Sequence, residues 1–116
     1  MIQLNGIDSQ MIANNLMPFE PVHPGELLKN EIEFRGISQR KLAKQLGVSY
    51  SVLNEILNRK CPVTTEYALL FEALLDIEAA MLVKMQADYN LQVAHSDKTF
   101  ANRLSEIRKF AAAAVF

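Results

Sequence analysis

The stretch Ser38-Gln-Arg-Lys-Leu-Ala-Lys-Gln-Leu-Gly-Val-Ser-Tyr-Ser-Val-Leu-Asn-Glu-Ile-Leu57 decides the fold of this 116-residue chain. It reads as two short helices joined by a tight turn. Ser38 and Ser49 each precede an apolar-periodic run, at the N-cap position where a hydroxyl accepts from an orphan backbone N–H. Leu42, Ala43 and Leu46 form the inner stripe of the first helix, and Leu53, Ile56 and Leu57 that of the second. Gly47 supplies the left-handed residue that ends a helix, and Val48 plugs the corner. Ala43 is small where the two helices must pass closely. The pattern is a helix-turn-helix.

Upstream, Pro18, Pro21 and Pro24 make a stiff, extended entry. Pro24 suits the first position of a helix running to about Phe34, with Leu27, Leu28 and Ile32 inward and Glu26 and Glu33 in water. Gly36 and Ile37 suit a Schellman ending. Residues 1–17 admit two readings: a short helix capped by Asp8 and carrying Met11, Ile12 and Leu16, or an irregular arm. Downstream, Asn58 to Pro62 is a loop, and Thr64 caps the next helix with Val63 and Ala68 as a hydrophobic staple. The apolar residues of that helix, Ala68, Leu69, Phe71, Leu74 and Leu75, wrap far round it and place it centrally in the core. A fifth helix is expected from about Glu78 to Tyr89 or a little beyond.

A last helix, about 98–114, carries Phe100, Leu104, Ile107, Ala111 and Ala114 at spacings of 4, 3, 4 and 3. Such a heptad-like seam packs on a second helix or docks on its own domain. The expected organisation is all-α: an N-terminal arm (1–21), a five-helix domain (22–94) and a C-terminal helical extension (95–116).

Half of the residues are hydrophobic and there is no Trp, which suits one small helical core. No apolar run approaches the roughly 20 residues that span a bilayer, and the N-terminus has neither the basic nor the apolar region of an export signal. Cys61, alone, can form no internal disulfide and suits a reducing cytoplasm. His23 and His95 lie far apart with no cysteine pair nearby, so no metal site is expected, and His23 reads as a helix-start residue. No catalytic triad, phosphate-binding glycine loop or carboxylate pair is recognisable. Neither an enzyme nor a bound cofactor is indicated.

The formal net charge of −1 is unevenly spread. Residues 35–60 carry Arg35, Arg40, Lys41, Lys44, Arg59 and Lys60 against Glu55 alone, a net +5. Residues 1–34 and 61–96 each hold five acidic side chains against one lysine, and residues 97–116 four basic against two acidic. The positive charge therefore coincides with the helix-turn-helix, where phosphates would be met.

In such a motif the start of the second helix enters the major groove. Tyr50 and Ser51, then Asn54 and Glu55 one turn later, are the candidate base readers. Asn can bond adenine bidentately, Glu accepts from cytosine, and Ser serves either pattern. Tyr50 has two candidate roles, on a thymine methyl or on a phosphate. Gln39 and Ser49 stand at helix N-termini, where phosphates bind. Arg40, Lys44, Arg59 and Lys60 complete the phosphate-contact set.

Ser38 to Leu57 resembles the helix-turn-helix of phage-repressor-type (XRE/Cro-like) regulators. More narrowly, His23-Pro24-Gly25-Glu26-Leu27-Leu28, Leu53-Asn54-Glu55-Ile56-Leu57-Asn58, Thr64 and Met85-Gln86-Ala87-Asp88-Tyr89-Asn90-Leu91 resemble the HigA-type antitoxins over roughly residues 22–94. The chain departs from them at Arg59, where they usually have Gly, and at Glu78, where they usually have a Ser or Thr cap. The resemblance implies a homodimer that binds a palindromic operator in double-stranded DNA, represses its own operon and neutralises a RelE-like ribonuclease toxin. A stand-alone repressor and a protein-interaction module that has lost DNA binding are the competing readings. Met81, Met85 and Tyr89 at i, i+4 and i+8, with the Phe100, Leu104 and Ile107 seam, are the candidate dimer contacts. The Met81 stripe reads equally as core. For a basic toxin the acidic segment 1–34, the arm with the first helix (Asp8, Glu20, Glu26, Glu31 and Glu33), is the favoured surface, with Met11, Ile12, Leu16, Phe19 and Glu20 as contacts; residues 61–96 are the other acidic choice.

Overall fold

The computed structural model describes residues 21–114, which form six helices and, among these residues, no strand. They are α1 (Pro24–Phe34), α2 (Gln39–Leu46), α3 (Tyr50–Leu57), α4 (Thr65–Leu75), α5 (Ala79–Ser96) and α6 (Lys98–Ala113). Five of the starts are closed by the side chain just before the helix. His23, Ser38, Ser49, Thr64 and Asp97 accept from the backbone N–H of Gly25, Lys41, Val52, Tyr67 and Phe100 respectively. Each such bond satisfies one of the four N–H groups a helix start leaves unpaired. Glu78 makes no cap bond at the start of α5. There the Ala79 N–H donates to Glu72 Oε2 at 2.9 Å, so a carboxylate from the preceding helix replaces the usual Ser or Thr.

Helix ends are as well defined. Ile37 N–H reaches the Ile32 carbonyl and Gly36 N–H that of Glu33, and Val48 and Gly47 repeat the pattern on Ala43 and Lys44. Both are Schellman endings, and Gly47 takes the left-handed φ of 76° that they require. The third such ending falls at Arg59, with φ of 64°. Its N–H bonds the Ile56 carbonyl while Lys60 N–H bonds that of Glu55. A glycine would sit at this position without the roughly 1–2 kcal/mol that a side chain costs in that conformation.

One apolar cluster joins α1 through α5. It contains Leu28 and Ile32, Leu42 and Ala43, Leu53, Ile56 and Leu57, then Val63, Ala68, Phe71, Leu75, Ile77, Ala79 and Leu82. Fully burying residues of this size stabilises the fold by roughly 1.5–3 kcal/mol each before ordering entropy is subtracted. Leu27, Leu46 and Val48 are half-buried against it. The crossing of α1 over α3 is close: a Cβ on Gly25 would lie 2.0 Å from the Ile56 carbonyl oxygen. Glycine is thus needed there for space.

Two expectations change. Leu69 and Leu74 are exposed, because α4 buries only the stripe Ala68, Phe71, Leu75. At 100° per residue they lie about 100° to either side of that stripe. The fifth helix continues to Ser96, seven residues past Tyr89. Nothing between Asn90 and Ser96 stops it, and the break comes where Asp97 caps the next helix. In α6, none of whose residues is fully buried, Leu104 of the seam is half-buried while Phe100 and Ile107 are exposed.

Candidate nucleic-acid interface

The turn between α2 and α3 sets the face that matters. With Leu53, Ile56 and Leu57 anchored in the core, the opposite side of α3 carries Tyr50 and Ser51 in water, with Asn54 half-buried and Glu55 exposed. Asn54 Nδ2 donates to Gln39 Oε1 at 3.1 Å, linking the middle of α3 to the first residue of α2. This clasp uses one of the two amide hydrogens. The other hydrogen and the carbonyl oxygen stay available, the donor and acceptor that bidentate adenine recognition needs. Gln39 thereby acts as the group that fixes the Asn54 rotamer.

Arg40 and Tyr50 are joined in a similar way. The guanidinium lies 4.6 Å from the tyrosine ring centroid, a cation–π contact across the helix pair. Arg40 is thereby held beside the α3 N-terminus, where the helix dipole and the free N–H groups favour a phosphate. Ser49, the α3 cap, is exposed at the same end, its hydroxyl accepting from Val52 N–H. Lys41, Lys44 and Lys60 are exposed and make no ion pair among the described residues. Arg35 instead is tied to Glu31 at 2.6 Å, and Arg59 stands 4.0 Å from Glu26, at the outer limit of an ion pair.

Glu55 has a partner within the chain. The Cys61 thiol donates to its Oε1 at 3.4 Å, and this bond holds the thiol above its ordinary pKa. The backbone carbonyl of Glu55 also takes the N–H groups of Lys60 and Cys61. The loop that carries Arg59 and Lys60 is therefore folded back on α3.

Two residues steady this loop from the far side, and only one had a role in the sequence reading. His23 is buried, with its Nδ1 accepting from Gly25 N–H at 2.9 Å and its ring edge-on to Tyr89 at 4.9 Å. Burial, and secondarily the positive charge of Arg59, lowers its pKa from the ordinary 6.5, while a hydrogen bond to the Cys61 backbone works the other way. Gln86, also buried, accepts from Val63 N–H at 2.8 Å and donates to Asn90. The signal was available: a glutamine four residues after the inward Leu82 on one helix face calls for a buried polar partner.

The candidate dimer residues are spread more widely. Met81 is exposed, Met85 and Tyr89 are half-buried, and Tyr89 has its ring engaged by His23. Phe100 and Ile107 are exposed and Leu104 is half-buried. Met11, Ile12, Leu16, Phe19 and Glu20 lie outside the described residues. Among those described, no His, Cys, Asp and Glu cluster could hold a metal ion, and no helix is long and apolar enough to cross a membrane.

Residues 28–82 match the helix-turn-helix family. Virulence-associated protein I of Dichelobacter nodosus is 37% identical over 91 residues, 78% of this chain and 82% of that protein. Among solved structures, the Pseudomonas aeruginosa antitoxin HigA with the higBA promoter is 29% identical with a TM-score of 0.63, covering 66% of this chain and 85% of that one. The antitoxin GraA is 25% identical with a TM-score of 0.64, covering 85% of this chain and 99% of that one.

Proposed function

We propose, from the premise that this chain belongs to the helix-turn-helix family and within it to the HigA-type XRE-like antitoxins, that it is the repressor of its own operon and the antidote to a RelE-like ribonuclease toxin. The observation that carries the DNA-reading half is the Gln39–Asn54 clasp on the exposed side of α3, inside the segment of net +5 charge. A polar helix face kept only for solubility would gain nothing from a side chain preorganised to present one donor and one acceptor. Tyr50, Ser51, Asn54 and Glu55 meet base edges. Gln39, Arg40, Lys44, Ser49, Arg59 and Lys60 meet phosphates, the contacts that set affinity and salt dependence.

The operator is palindromic because the protein acts as a homodimer, whose two α3 helices enter successive major grooves about 34–36 Å apart. The dimer forms through the Met81–Met85–Tyr89 stripe, the Phe100–Leu104–Ile107 seam, or both. The toxin, acting on RNA, is expected to be basic and is met by the arm with its acidic Asp8 and Glu20. Apolar contacts through Met11, Ile12, Leu16 and Phe19 supply most of that affinity, and the charge speeds encounter. All of this takes place in the cytoplasm.

The test is co-expression with the product of the adjacent small reading frame. The full chain should copurify with it and restore growth, and a chain lacking residues 1–20 should keep DNA binding while losing rescue. Full rescue by the truncated chain would remove the arm from this role. Absence of any toxic neighbour would leave a stand-alone repressor.

A further inference from the structure

The side of the domain formed by α1 and α5 has no part in reading DNA, yet it is neither filled nor evenly polar. Pro21, Val22, Met85, Asp88, Leu91 and His95 line an open cleft of about 550 Å³. Past Val22 and Met85 it continues onto α1, where Glu26, Leu27, Glu31 and Phe34 form its wall. Its apolar side chains face water: Leu91 is 60% and Phe34 89% exposed. Its rim is acidic, through Glu26, Glu31 and Asp88, and α1 as a whole holds three glutamates against Lys29. Asp88 is bridged to Lys84 at 3.0 Å, Glu31 to Arg35, and Glu26 stands 4.0 Å from Arg59. Exposed pairs of this kind are weak and exchange readily.

Helix α6 has the complementary character. None of its residues is buried, and Phe100 and Ile107 are about half exposed. Its charge is net positive, Lys98, Arg103, Arg108 and Lys109 against Glu106. At 100° per residue, Arg103 and Arg108 flank the Phe100–Leu104–Ile107 seam, one on each side. An apolar stripe with basic edges thus stands on the same chain as an apolar cleft with an acidic rim. Among the described residues lining the cleft, none belongs to α6, so α6 does not fill the cleft of its own chain. The arm enters the fold at Pro21, beside the cleft, but residues 1–20 contain Asp8 and Glu20 and no Lys or Arg. It has the same sign as the rim, so charge selects α6.

We infer that the cleft between α1 and α5 receives helix α6 of a second copy of this chain, and that the exchange is reciprocal about a two-fold axis. The inference rests on the homodimer proposed above and specifies its contact. Each seam becomes buried between Met85, Leu91 and Val22 of the other copy, and Arg103 and Arg108 approach Glu26 and Asp88.

The experiment uses the full chain with Cys61→Ser. One preparation carries Leu91→Cys and the other Ile107→Cys; they are mixed and mildly oxidised. The expected result is a heterodimeric disulfide between the two. In addition, Arg103→Glu with Arg108→Glu should weaken dimerisation at least tenfold by light scattering or sedimentation, and Glu26→Lys with Asp88→Lys should restore it. A stable dimer that gives no mixed disulfide and ignores the charge reversals overturns the inference while leaving the homodimer standing. A chain that is monomeric at micromolar concentration overturns both. If the thiol of L91C is shielded from a maleimide by residues 1–20 and not by residues 97–116, the cleft belongs to the arm and the inference fails.

Discussion

Replacing Gly25 with alanine sets two physical effects against each other with opposite signs. Alanine is the better helix former, by about 1 kcal/mol in a helix interior and less so near an N-terminus. Against this, the new Cβ would stand 2.0 Å from the Ile56 carbonyl oxygen and 3.0 Å from both the Ile56 carbonyl carbon and His23 Nδ1. Ordinary contact begins near 3.4 Å, so α1 must retreat from α3 by more than an ångström. The obstacle is backbone, which cannot rotate aside. Overpacking of this kind costs about 1–3 kcal/mol and occasionally more. The net expectation is a loss of about 1–2 kcal/mol, and at about 4–8 °C per kcal/mol for a domain of this size the melting temperature should fall visibly. Urea titration followed by circular dichroism measures it, with an unchanged slope showing that the denatured state is not involved. Since Ile56 lies on α3, operator affinity should also drop at temperatures where the variant is fully folded. A Gly25→Ala chain as stable as the wild type, or more stable, would refute the close approach of α1 to α3.

Other outcomes follow from single contacts. Arg59→Gly should raise stability by several tenths of a kcal/mol to about 1, because the left-handed residue loses its side-chain strain, while weakening DNA binding through the lost charge, as paired denaturation and salt titrations would show. Gln86→Leu leaves the Val63 N–H buried without a partner and should cost about 1–3 kcal/mol in the same denaturation assay. His23 gives a pH dependence. Its folded pKa is depressed below the ordinary 6.5, so the unfolded chain binds the proton more readily. Its contribution is therefore fully present above about pH 6.5 and is lost as pH falls below that toward the folded pKa. The urea midpoint should decline through this window in the wild type and stay flatter in His23→Asn, which retains a cap acceptor.

The helix-turn-helix was legible because its signals are local. Ser38, Ser49, Gly47 and the Leu42–Leu46 and Leu53–Leu57 stripes each dictate a neighbour's conformation through hydrogen bonds within a few residues. The reach of α5 to Ser96 was not, since it is decided by the absence of a breaker and by a cap on the following helix. Leu69 and Leu74 misled because an apolar residue reveals its inwardness only through the partner it meets. The clasp between Gln39 and Asn54 joins residues 15 apart, and the replacement of the α5 cap by Glu72 spans a loop. Both are tertiary facts. The positive φ at Arg59, by contrast, was foreshadowed by a departure from the glycine that the resemblance to HigA-type antitoxins implies there.

Whether the exposed side of α3 reads base sequence is decided by fluorescence anisotropy with the duplex that lies upstream of this chain's own gene. Wild type, Asn54→Ala and Lys44→Ala are titrated against that duplex and a scrambled one at several salt concentrations. Wild type should bind the upstream duplex tightly and the scrambled one only weakly. Asn54→Ala should lose roughly 1–3 kcal/mol on that duplex and little on the scrambled one. Lys44→Ala should weaken both and reduce the salt slope by about one. Equal wild-type affinity for the two duplexes, or an Asn54→Ala chain that discriminates between them as well as the wild type does, would contradict base reading by α3.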